Sequence, residues 1–160
     1  MTILIQPIEE ADLSTITTYV TEHWGETALV VHGEVFHMQD LDGVKAVLND
    51  SIVGFLHYQV RDEECEILTL ASLHDGIGVG SALLDSVEHI ARNNHCRILS
   101  LITTNDNLHA LGFFQRRGFY FAELFPGQVD LSRKIKPSIP EMGMNNIPIR
   151  DELRLVKTID

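Results

Sequence analysis

With 160 residues, 44% hydrophobic and 22% charged, the chain is long enough to bury the core of one domain, and none of its apolar runs approaches the roughly eighteen residues of a membrane helix. Its net charge of −11 is uneven: residues 1–80 carry 14 acidic side chains against Lys45 and Arg61, whereas residues 81–160 carry nine acidic and ten basic ones. No basic run interleaved with aromatics is present, which argues against nucleic-acid binding, while the acidic half suits either a cationic substrate or simply a solvated surface.

Thr2 to Pro7 alternates Ile3 and Ile5 as a first strand, and Glu9 to His23 reads as a helix with Leu13, Ile16, Val20 and Trp24 on one face. Ala28–Val31 and Glu34–Met38 flank His32-Gly33 as a hairpin, and Gly43–Leu48 and Ile52–Val60 read as strands around the turn residues Asn49-Asp50-Ser51. Cys65 to Ala71 continues this meander. A glycine turn at 76, 78 and 80 follows, then a helix from Ser81 to Asn93 with Leu83, Leu84, Val87 and Ile90 at helical spacing. Arg97 to Thr103 is an apolar strand. Asn105-Asp106-Asn107 are cap-type residues before a helix from Leu108 to Arg117, with Gly118 at its C-terminal end. Phe119–Phe125 and Glu152–Ile159 read as strands, separated by a loop at 126–148 that carries the basic cluster Arg133, Lys134 and Lys136. A meander first and crossovers later define a mixed α/β (α+β) sheet, antiparallel in its N-terminal part and parallel at its centre. Six to seven strands flanked by three to four helices are expected, in a single domain spanning 1–160.

Two cysteines without CxxC spacing, Cys65 and Cys96, point to free thiols in a reducing cytoplasm, and Met1–Ile5 is too short for a signal peptide. Eight histidines show neither HxH nor HExxH spacing, so no metal site is expected.

Leu68 to Leu84 is the stretch that carries chemistry. An apolar strand passes through three glycines into a helix, which aims unpaired backbone N–H groups at the positive end of a helix dipole and makes a phosphate cradle. A nucleoside triphosphate loop needs Lys-Ser/Thr after the last glycine, but Gly80 is followed by Ser81-Ala82. A dinucleotide loop needs GxGxxG near the first strand, but Gly76-x-Gly78-x-Gly80 has other spacing and lies in mid-chain.

The segment from His74 through Gly76-Ile77-Gly78-Val79-Gly80-Ser81 resembles the pyrophosphate-binding signature of the GNAT superfamily of N-acetyltransferases, Gln/Arg-x-x-Gly-x-Gly/Ala. Asn107-Leu-His-Ala110-Leu-Gly-Phe113-Phe114-Gln-Arg-Arg-Gly118-Phe119 is similar to that family's Asn-x-x-Ala-x-x-Phe-Tyr-x-x-x-Gly-Phe helix, and the two blocks stand in the family's order. Together they cover roughly residues 52–125. Lys136–Pro140 and Gly143–Glu152 further resemble the tail of a bacterial GNAT subgroup.

The resemblance implies a GNAT-like fold and direct attack of a small-molecule or peptide amine on acetyl-CoA in a ternary complex. Coenzyme A would be held by Leu68, Leu70, Asp75, Gly76, Ile77, Gly78, Val79, Gly80, Ser81, Asn107, Phe113 and Phe114, with a backbone N–H near Leu70 facing the developing oxyanion. Two positions depart from the pattern. Asp75 stands where the signature has Gln or Arg, and Phe114 stands where the family's acid tyrosine would be. These departures keep a second reading open, an acyl-CoA-binding sensor or interaction module with little turnover.

Glu66 is the first choice of general base, because strand parity puts it on the face of Leu68 and Leu70, and His32, His37 and His57 are the alternatives. Tyr120 or Tyr58 could replace the missing acid. Asn107 has two compatible readings, helix cap and cofactor contact, and Arg116 and Arg117 either touch the cofactor's phosphates or complement a helix C-terminus, the latter being preferred. The 126–148 loop would cover the acceptor cleft or form a homodimer contact.

Overall fold

The computed structural model describes residues 2–160. In chain order the elements are β1 (Leu4–Pro7), α1 (Leu13–Trp24), β2 (Ala28–Val31), β3 (Glu34–His37), β4 (Asp42–Leu48), β5 (Ser51–Arg61), β6 (Glu64–Ser72), α2 (Val79–Asn93), β7 (Ile98–Thr104), α3 (Leu108–Arg116), β8 (Tyr120–Phe125), α4 (Gln128–Ile135) and β9 (Glu152–Thr158). Seven strands form one mixed sheet in the order β1-β4-β5-β6-β7-β9-β8. Only β6 and β7 run parallel, joined over the sheet by α2, and every other neighbouring pair is antiparallel. The mixed α/β sheet expected from element order is therefore present, with four α-helices among the described residues. Its parallel part is a single pair, because β9 inserts between β7 and β8.

Both faces of the sheet are covered. On one, Val79, Leu83, Val87 and Ala91 of α2 recur every four residues and pack with Leu56, Ile67, Leu99 and Leu155. On the other, Ile16 and Val20 of α1 pack with Met38, Phe55 and Ala71. Gly54 is what lets α2 sit so close. A Cβ there would lie 2.4 Å from Val79 Cγ1 and 2.7 Å from the Ala71 carbonyl oxygen.

Three local expectations are corrected. The hairpin β2–β3 does not extend the meander but forms a separate two-stranded sheet, turning at His32 and Gly33 with φ of 49° and 79°. The helix expected from Glu9 begins as a 3-10 turn at Glu10–Asp12 and becomes α-helical only at Leu13. The 126–148 segment is not a plain loop. It contains α4, and Arg133 fastens it by donating to the carbonyl oxygens of Ile139, Pro140 and Ile149. Lys136 donates to the Ala28 carbonyl at 3.0 Å, which docks this segment on the hairpin. Two of the three basic side chains thus work inside the fold, and Lys134 alone is exposed.

The last stretch before β9 is tied down in the same way. Buried Asp106 accepts the Met144 N–H at 2.9 Å, and Asn105 Oδ1 accepts the N–H groups of Arg150 and Asp151, both at 3.0 Å. Gly143 passes so close to Asp106 that a Cβ would meet Oδ2 at 2.2 Å. The cap-type residues after β7 therefore hold the tail as well as starting α3. No helix among the described residues is long and apolar enough to cross a membrane.

Candidate active site

The parallel pairing of β6 and β7 ends at Ile67 and Leu101, after which the two strands separate. The cause lies in β6. His57 pairs with Thr69 and Tyr58 with Ile67, so Leu68 stands opposite no residue of β5 and forms a β-bulge. Beyond Ile67, backbone groups of β6 that point toward β7 have no strand to pair with. The gap widens into a cleft of about 1010 Å³ that runs between the two strands to the glycine turn and α3.

The bulge also overturns the parity argument for Glu66. Glu66 pairs with Gln59, and Thr69 with His57, so Glu66 shares the face of Thr69 and Ala71, the one covered by α1 and the hairpin. Leu70, paired with Leu56, is on the α2 face. One extra residue reverses which side chains share a side.

The glycine turn closes the far end of β6. Gly76 and Gly78 have φ of 78° and 85°, a conformation that L side chains resist. α2 starts at Val79, two residues earlier than the sequence suggested, so Gly78 itself is its N-cap and leaves the first N–H groups uncapped by any side chain. Gly80 lies against α3, where a Cβ would be 3.3 Å from the Phe113 ring. Of the residues expected to hold the cofactor, Leu68, Leu70, Asp75, Gly76, Gly78, Val79, Gly80, Ser81, Asn107, Phe113 and Phe114 all line the cleft, and Ile77 does not, being exposed at the turn. Asn107 caps α3, its side chain accepting the Ala110 N–H at 3.2 Å, and it also lines the cleft.

Arg117 does more than complement a helix end: it donates to the Phe113 carbonyl in the last turn of α3 at 3.4 Å, and it also reaches Ser81 Oγ at the first turn of α2, lying 3.9 Å over the Phe113 ring. A cation thus stands at the glycine turn although Asp75 replaces the signature's Gln or Arg. The only signal in the sequence was a second arginine adjoining Gly118.

The acid–base candidates are scattered. Glu66 is half-buried on the α1 face but outside the cleft's lining, and burial, with Glu64 nearby, pushes its carboxyl above the ordinary range. His57 is 2% exposed; its Nδ1 lies 2.7 Å from Thr69 Oγ1, which also accepts the His57 backbone N–H at 2.9 Å. Burial lowers the His57 pKa to about 4, so the ring is neutral at pH 7 and a poor base. Its partner Thr69 lines the cleft. His37 is exposed on β3, and His32 lies at the hairpin turn, its Nδ1 3.5 Å from Glu152 Oε1. Tyr120 is 53% exposed on the edge strand β8 and outside the cleft, and Tyr58 packs into the α2-side core. Neither tyrosine lines the cleft that Phe114 lines.

The chain belongs to the acetyltransferase (GNAT) family, whose model matches residues 7–119. It is 41% identical over 159 residues to the uncharacterized protein YdhI of Bacillus subtilis, covering 98% of this chain and 99% of that one. Among solved structures it is similar to a GNAT acetyltransferase from Elizabethkingia anophelis with acetyl-CoA bound, at TM-score 0.68 and 20% identity over 98% and 97% of the two chains. It is likewise similar to a Bacillus subtilis acetyltransferase in complex with CoA, at TM-score 0.71 and 17% identity over 99% and 100%.

Proposed function

We propose that the chain, acting as one acyl-CoA N-acyltransferase domain, moves the acetyl group of acetyl-CoA to a primary amine by direct attack in a ternary complex. The observation that carries this reading is the separation of β6 from β7 at the Leu68 bulge, immediately before the glycine turn. It supplies a cleft between strands for the pantetheine arm, unpaired backbone groups for the thioester oxygen, and a route to the thioester from the α1 face. The glycine turn, the uncapped start of α2 and Arg117 suit the pyrophosphate.

Acetyl-CoA supplies an activated carbonyl, and the chain's own groups do the rest. A new N–C bond forms as the C–S bond breaks, with a backbone N–H near Leu70 donating to the oxygen. The amine, with a pKa near 10.4 if lysine-like, must lose a proton. Glu66 takes it through water, helped by the raised pKa that burial gives its carboxyl. Phe114 has no proton to give, so solvent protonates the departing sulfur.

Thiol release from acetyl-CoA in the presence of a panel of primary amines, with and without Glu66→Gln, tests the reading. Amine-dependent release is expected, with Glu66→Gln lowering kcat/KM by about tenfold or more and removing an acid limb that lies above the ordinary carboxylate pH. Acetyl-CoA binding without release on any amine leaves the binding-module reading instead. No acetyl-CoA binding overturns both.

A further inference from the structure

A second cavity, of about 250 Å³, lies between the hairpin, α4 and the start of β9. Leu29, Val31, Val129 and Ile149 give it apolar walls, and Ser132 and Glu152 are its buried polar groups, 2% and 4% exposed. Lys136 also lines it, with its ammonium engaged on the Ala28 carbonyl. Glu152 Oε2 accepts the backbone N–H of His32 at 3.3 Å. Among the described residues Glu152 Oε1 and Ser132 Oγ make no hydrogen bond, and the only charge partner of Oε1 is the His32 ring, 3.5 Å away, when that ring is protonated. Burying two such oxygens without a hydrogen bond is costly, and both lie on the same cavity, so the fold leaves room for a further donor. An apolar slot ending in a carboxylate selects a cationic amino group on an apolar stem, and it disfavours acids by like charge and sugars by its scarcity of polar atoms.

The cavity adjoins the active-site cleft. Leu29 lines both, and Glu152 pairs with Thr104, next to Thr103 of the cleft wall. Glu152 nevertheless stands two strands away from β6 and three residues beyond the last β6–β7 pair, so farther than the roughly 10 Å that two regular strand spacings give. An amine reacting at the Leu68 bulge cannot also touch it.

We propose that this cavity holds the far end of the acetyl acceptor, and that the acceptor is a diamine: one amino group reacts at the β6 bulge while a second, charged one, carried on an apolar chain, is bound by Glu152 and Ser132. This rests on the acetyl-transfer reading and names its substrate class.

The test compares α,ω-diaminoalkanes of four to ten carbons with n-alkylamines of matching length, by thiol-release kinetics and by calorimetric titration into the protein saturated with CoA. Some chain length should give the diamine a KM and Kd about tenfold or more below those of its monoamine. Glu152→Gln should erase that preference without changing acetyl-CoA affinity. Val129→Phe, which fills the cavity and leaves the carboxylate in place, should raise the diamine KM and spare short monoamines; it also guards against a misfolded Glu152 variant. Equal handling of diamines and monoamines, no diamine binding, or a preference that survives both substitutions would overturn the diamine proposal while leaving acetyl transfer standing. Failure of the wild type to bind acetyl-CoA would fail the underlying reading.

Discussion

The large cleft is walled by residues of two stretches, from Ile67 to Ser81 and from Leu101 to Arg117, together with Trp24 and Leu29, and the anion grip proposed for it is largely backbone. The smaller cavity draws on residues near 30, 104, 132 and 150, and its grip is two side chains. A backbone cradle works for any chain that can make the turn, so it is the part a family shares. A pocket of side chains from distant segments changes with each substitution, so specificity resides there. Substitutions that act on one region and spare the other make this contrast measurable.

The largest effect concerns acid stability on the α1 face. His57 has a folded pKa of about 4 against about 6.5 unfolded, so the unfolded chain takes up the proton first. Its contribution to stability is complete above pH 6.5 and is lost as pH falls toward 4, amounting at the limit to about 3 kcal/mol. Denaturant melts of His57→Gln from pH 7 to pH 4 should lose less stability than wild type by that order, with the α2-side cradle unaffected at pH 7.

Gly54→Ala acts on the opposite face. Its Cβ would collide with Val79 and the Ala71 carbonyl, pushing the start of α2 off the sheet at a cost of about 2 kcal/mol, read from urea melts and accompanied by weaker acetyl-CoA binding. Gly78→Val should leave packing alone, since nothing lies within 4 Å of its Cβ position, but it strains a residue at φ 85°. Acetyl-CoA Kd should rise about tenfold by calorimetry, whereas the NMR signals of the His32 ring beside the smaller cavity should stay in place. The smallest effect is expected of Arg117→Gln, about 1 kcal/mol or less in acetyl-CoA affinity, shrinking as salt is raised because Arg117 is only half-buried. Equal damage to both regions from Gly78→Val would break the contrast.

Much of the cleft was legible before any coordinates. Glycines that need positive φ and a helix start that follows a strand are local, and Asn107 announces its cap within three residues. The pairing of Arg117 with Ser81 escaped because the two are 36 residues apart and meet only when α3 packs beside α2. Glu66 was given the wrong face because a bulge depends on two strands: nothing in Glu66-Ile67-Leu68-Thr69 says that β5 will skip Leu68. Sequence places Arg133 only in a basic cluster of a loop over the cleft or at a dimer contact, because carbonyl groups, which every residue has, leave no mark in sequence as partners.

Glu152 and Ser132 are the clearest case. Each reads as an ordinary polar residue near a loop, and neither was a candidate. Their burial comes from α4 folding onto a hairpin a hundred residues earlier, through Lys136 and Ala28. By itself the sequence determined the order of the strands and of every helix but α4, and the glycine turn, because periodicity, capping and turn chemistry act over a few residues; the two motif blocks around that turn and Asn107 carried the family resemblance. The tertiary structure decided where β6 leaves β7, which face Glu66 takes and that a second cavity exists at all, because registers and burial belong to pairs of segments that the chain brings together only by folding.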